Sequence, residues 1–155
     1  MAYEVTVETV SAAPIAAVRR QARAGQIGAV WKPALDQVWA FLRQHPGLWT
    51  DGHNLFLYHH AAARGDPMEI DFGVQVTRSF PHESEVRCVD TPAGEVAIAL
   101  HVGGYDTLHL AHEAVHAWLA QSGRTSAGIS WELYGDPSPD PAKTETRVYY
   151  LLARA

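Results

Sequence analysis

The sequence predicts one α+β domain, a duplicated β-β-α-β-β unit with half-repeats of about residues 1–80 and 81–155. Three observations carry this. Two stretches place apolar residues at helical spacing, most of the remainder alternates apolar and polar, and the same order of elements occurs twice. The expected product is an antiparallel or mixed sheet with both helices on one face.

Residues 3–10 alternate as a half-buried strand does, and residues 14–23 read as a second strand that exits at Ala24-Gly25. Val30, Ala34, Leu35, Val38, Trp39 and Leu42 recur with the period of a helix, which predicts a helix over 27–45 stopped by His45-Pro46-Gly47. "NLFLYHH" at 54–60 is a strand, 61–67 a surface loop, and "MEIDFGVQVTRSF" at 68–80 a further strand. The second half follows suit. Residues 84–105 give two strands around a Thr91-Pro92-Ala93-Gly94 turn, 107–121 a helix ended by Ser122-Gly123, 129–135 a strand, and 144–153 the last strand after a Pro-rich loop. In this alignment Phe56 answers Glu132 and Tyr58 answers Tyr134.

A chain of 155 residues with 47% apolar and 19% charged residues has the composition of a globular protein with a sizeable core. Its net charge of −5 argues against a nucleic-acid backbone as direct partner. Arg19, Arg20 and Arg23 are the nearest approach to a basic cluster. Cys88 is the sole cysteine, which excludes an internal disulfide and a cysteine-rich metal site; it is expected to act as a small buried hydrophobe. The start alternates like a strand instead of resembling a signal segment, and no apolar run is long enough to span a bilayer. The expectation is a cytoplasmic protein with no membrane partner and no set oligomeric state.

"LHLAHEAVHAWLAQSG" contains His112-Glu113-Ala114-Val115-His116, an H-E-x-x-H pattern that on a helix can place two imidazoles on one zinc ion. Leu108, Ala111, Val115, Trp118 and Leu119 form the apolar stripe of that helix, with His112 and His116 at its edge and His109 and Glu113 further toward water. A catalytic zinc needs a third protein ligand, and no histidine follows His116. The pair is therefore read as a solvated helix flank, not a zinc protease. No metal and no cofactor are expected, and chelators or alanines at His112 and His116 should leave binding unchanged.

"SWELY" holds more promise. Ser130, Glu132 and Tyr134 share one face of a strand, and Trp131 and Leu133 share the other. Trp131 and Leu133 are expected under a helix, with Glu132 and Tyr134 facing away from it. A carboxylate flanked by Tyr134, Phe56 and Tyr58 would form a cage for an organic cation, because ring faces and a partly desolvated carboxylate both attract positive charge; the alternative is that Glu132 is an exposed strand residue facing water.

"TPAGEVAIALHVGGYDTLHLAHEAVHAWLAQSG" followed by "GISWELYGDPSPDPAKTETRVYYLLA" resembles the C-terminal half of GyrI-like domains, also called AraC-type or bacterial transcription activator effector-binding domains. "VWKPALDQVWAFLRQH" and "EIDFGVQV" extend the likeness more loosely over the first half. "HVGGYD" departs from the pattern where a proline often follows the first glycine, as does "YYLLA" where Pro-Leu often closes the domain. The resemblance implies a mostly antiparallel sheet and a concave groove, on the sheet face opposite the helices, that takes hydrophobic, often cationic aromatic compounds, with Glu132 at the position of the central glutamate. Tyr134, Phe56, Tyr58 and Trp31 would stack on the ligand. His101, just before the Gly103-Gly104 turn, would border the groove, with a purely structural role as its alternative.

Two functions follow from the resemblance. In one the chain, which starts at its first strand with no helix-turn-helix before it, is a stand-alone small-molecule binder. In the other it is a hydrolase that opens cyclopropane rings of DNA-alkylating natural products. Glu132 would then be the general base on water, and Tyr134 or Tyr58 would hold the oxygen on which charge develops. A lesser alternative, inhibition of DNA gyrase, rests on fold analogy alone.

Overall fold

The structure, a computed structural model, describes residues 3–154 apart from 64, 83 and 137. Arg64 and Pro137, in the expected loops at 61–67 and 136–143, lie outside the described residues. The elements run β1 (Val5–Val10), β2 (Pro14–Ala22), α1 (Ile27–Gln44), β3 (Asn54–His59), β4 (Met68–Gln75), β5 (Arg87–Asp90), β6 (Gly94–Val102), α2 (His109–Ser122), β7 (Ser126–Tyr134) and β8 (Glu145–Leu152). Both helices and all eight strands expected from the sequence are present. The strand expected over 68–80 stops at Gln75: Val76 makes one last bond in register to the Pro14 carbonyl, and Thr77 turns away to bond the Leu48 carbonyl.

The chain forms two compact units, one of Ala12–Thr91 and one of Met1–Ser11 with Pro92–Ala155. They are not consecutive halves of the chain. β1 pairs with β6, and β5 pairs with β2. Each unit thus takes its outer strand from the other half of the sequence. An alternating strand carries no address of its own, so its partner is chosen by where the chain can reach.

In the Ala12–Thr91 unit the strand order is β3-β4-β2-β5, all antiparallel. Ala34, Leu35, Val38, Phe41 and Leu42 are the buried stripe of α1, which packs on β2 and β4. That burial carries the helix through Pro33, which lacks an amide hydrogen to donate. On the sheet face away from α1, the buried Asp71 accepts from Arg19 Nε at 2.8 Å and Nη2 at 2.9 Å, and lies 2.9 Å from His59 Nε2.

In the second unit the order is β1-β6-β8-β7, again antiparallel. Its core joins Leu108, Ala111, Val115 and Leu119 of the α2 region to Ala97 and Ala99 of β6 and Val148, Tyr150 and Leu152 of β8. α2 ends at Gly123, whose left-handed φ of 70° closes the helix as a side-chain-bearing residue would do only with strain. Among the described residues, no helix is long and apolar enough to cross a membrane.

Candidate functional site

The site grows from the β7–β8 pair and the helix laid over it. Register sets Ser130 opposite Tyr150, Glu132 opposite Val148 and Tyr134 opposite Thr146. Residues opposite one another share a face, and Val148 and Tyr150 pack into the α2 core. Glu132 and Tyr134 therefore look toward α2, which corrects the expectation that they face away from the helix layer. Trp131 and Tyr149 occupy the opposite face, with rings stacked at 5.2 Å and 9°. Alternation along a strand separates two faces but cannot say which one the helix covers; that is decided by the partner strand.

A second correction concerns the H-E-x-x-H segment. His112 is no solvated flank: its Nε2 lies 2.6 Å from Glu132 Oε2, and its Nδ1 lies 2.7 Å from the Tyr150 hydroxyl. His116 Nε2 lies 3.3 Å from the same hydroxyl. The edge of the stripe that carries both histidines faces β8 and β7, so the i, i+4 spacing serves a tyrosine and a carboxylate. Glu113 points the other way, exposed beside His109.

Glu132 is 7% exposed. The Tyr134 hydroxyl donates to its Oε1, so both carboxylate oxygens are engaged. The Tyr134 ring in turn meets Tyr105 edge-on at 5.7 Å and 88°, and Tyr105 is 59% exposed. A run of contacts thus links the exposed Tyr105 through Tyr134 to the carboxylate. Burial, and then the charge of Glu132, push the Tyr150 phenol well above its ordinary value, while a hydrogen bond with Ser130 opposes the shift. Tyr150 is therefore a neutral phenol at physiological pH. His116 is held below the ordinary imidazole value, first by desolvation and then by the neighbouring His112.

Chemically, this is a desolvated carboxylate held between a phenol and an imidazole, with tyrosine rings beside it. It can counter a cation or accept a proton.

Of the residues singled out from the sequence, Glu132 and Tyr134 stand together. Phe56 and Tyr58 stand on β3 in the other unit, where the Phe56 ring lies 6.1 Å from Trp31 and edge-on to Phe72 at 4.8 Å. His101 is 2% exposed, with Nδ1 at 2.8 Å from the Tyr3 hydroxyl and Nε2 at 2.8 Å from the Gly104 carbonyl. Both its ring nitrogens are committed: Nε2 to the turn before α2 and Nδ1 to Tyr3 ahead of β1. Sequence reasoning missed His112, His116, Tyr150 and Tyr105. The available signal was the i, i+4 histidine pair on the stripe edge, read together with the alternating Val148-Tyr149-Tyr150.

Residues 3–152 match the family model of the GyrI-like small molecule binding domain. The chain belongs to this family. No curated protein matches it in sequence. Among solved structures, the EcmrR C-terminal domain superposes with a TM-score of 0.81 at 20% identity, covering 100% of both chains. SAV2435, solved bound to tetraphenylphosphonium, gives 0.72 at 13% identity over 97% of this chain and 94% of its own. A hydrolase from Listeria innocua gives 0.65 at 14% identity over 97% and 92%. At these identities the neighbours share the GyrI-like fold, and the family assignment makes small-molecule binding the function of the domain.

Proposed function

We propose that this GyrI-like domain binds hydrophobic organic cations, with Glu132 as the counter-charge and Tyr134 and Tyr105 as ring contacts. The observation that carries this reading is the burial of a carboxylate against phenol rings. A charge taken out of water is costly unless something of opposite sign compensates it. Ring faces beside it add attraction for a cation and contribute little to an anion. The cation bound by the neighbour SAV2435 supports the ligand class.

The test is titration with tetraphenylphosphonium. Glu132→Gln, which keeps the shape and removes the charge, should weaken binding at least about tenfold, or about 1.4 kcal/mol. Equal affinity of the two proteins would remove the charge-pairing role.

A second reading has a specific observation behind it. Glu132, His112 and Tyr150 form a hydrogen-bonded row, which could receive a proton that Glu132 takes from water during ring-opening hydrolysis of a cyclopropane-bearing alkylating compound. Incubation with a spirocyclopropane compound checks it: the ring-opened hydrate should form, and Glu132→Gln should abolish it.

A further inference from the structure

We propose that His112 is a tethered competitor for the ligand's place on Glu132, so that binding of an organic cation is coupled to loss of a proton from His112. The inference rests on the reading of Glu132 as the counter-charge and adds its regulation. Its basis is geometric. The Nε2 of His112 lies 2.6 Å from Glu132 Oε2, a close contact on the short side of the range of about 2.7–2.9 Å for a charge-assisted N–H···O bond. When the ring is protonated, the carboxylate already has its cation. When the ring is neutral, Nε2–H still donates to the carboxylate, but a full negative charge is left for the ligand.

The surroundings allow both states of the ring. Protonated, His112 donates from Nδ1 to the Tyr150 oxygen, and the Tyr150 hydrogen turns to His116 Nε2 at 3.3 Å. Neutral, Nδ1 accepts from the Tyr150 hydroxyl instead. His116 stays an acceptor near neutral pH because it is held below the ordinary imidazole value. The other titratable groups do not take over the role. On α2, His109 and Glu113 pair with each other on the exposed side. From β7 come Glu132 and Tyr134, and from β8 comes Tyr150. β6 presents Ala97 and Ala99 to α2, and His101 further along it is closed off by Tyr3 and Gly104. In the turn before α2, Tyr105 meets Tyr134, and Asp106 lies in the same turn.

Competition of this kind makes cation affinity rise with pH by about tenfold per unit where His112 is protonated, then level off once it is neutral. The experiment is calorimetric titration of the full chain with tetraphenylphosphonium from about pH 5.5 to 8.5, in buffers of differing ionisation enthalpy. Affinity should climb and then plateau, with up to one proton released per cation on the rising limb. His112→Gln should bind about tenfold more tightly at the acid end, lose the slope and release no proton.

In the wild-type chain, the His112 ring resonances should pass to the neutral form when the cation is added below the plateau. That reading needs no variant to fold. A flat affinity with no proton release, a slope that survives in His112→Gln, or a ring that keeps its proton in the complex would each overturn the proposal while leaving Glu132 as the counter-charge. Unchanged affinity in Glu132→Gln would remove the underlying reading and this one with it.

Discussion

Thr146 shows what a single side chain costs when the fold closes over it. Among the described residues its buried Oγ1 has no hydrogen-bond partner; Thr146 stands opposite Tyr134 on one side and His101 on the other. A buried hydroxyl left unpaired forfeits its hydration, at about 1–3 kcal/mol. Thr146→Val replaces it with a methyl of nearly the same shape, so chemical denaturation should show a gain of about 1 kcal/mol. The residues around it divide sharply in how readable they were. Glu132 stands out in sequence as a carboxylate among aromatics. His112 does not, because its meaning depends on a carboxylate 20 positions away that becomes its neighbour only when α2 lies across β7.

At the scale of elements, periodicity was sufficient to find every strand and both helices; it overran the end of β4, and it could not supply what depends on pairing. The direction in which Glu132 faces is one such case. Gly73 is another. It sits inside β4, where a glycine weakens a strand, yet a Cβ there would come within 2.8 Å of the Ala16 carbonyl oxygen and 3.0 Å of Ile15 Cδ1. β2 approaches β4 too closely for any side chain. Gly73→Ala should cost about 1–3 kcal/mol, measured as a fall in the denaturation midpoint with an unchanged slope.

For the molecule as a whole, one contribution to the response of stability to pH comes from His116, an exposed side chain packed at one edge against Tyr150. Its proton is held less firmly in the folded chain than in the unfolded one. Between the two values the unfolded state binds more protons, so stability is full above about pH 6.5 and falls as pH drops through the folded value. Thermal unfolding of the parent chain and of His116→Gln across that range should differ, the variant losing less stability as pH falls. The interchange of β1 and β5 between the two units is a second property of the whole, invisible in any local window. An apolar-polar rhythm encodes that a segment is a strand because the side-chain period of two is local physics. The likeness of "SWELY" and its flanks likewise carried the family and singled out Glu132 as a candidate, since a motif is a property of contiguous residues. Which strand each segment joins, which face the helix covers and which imidazole meets the carboxylate are set by contacts between residues far apart in the chain. These form only when burial of the apolar stripes brings the elements together.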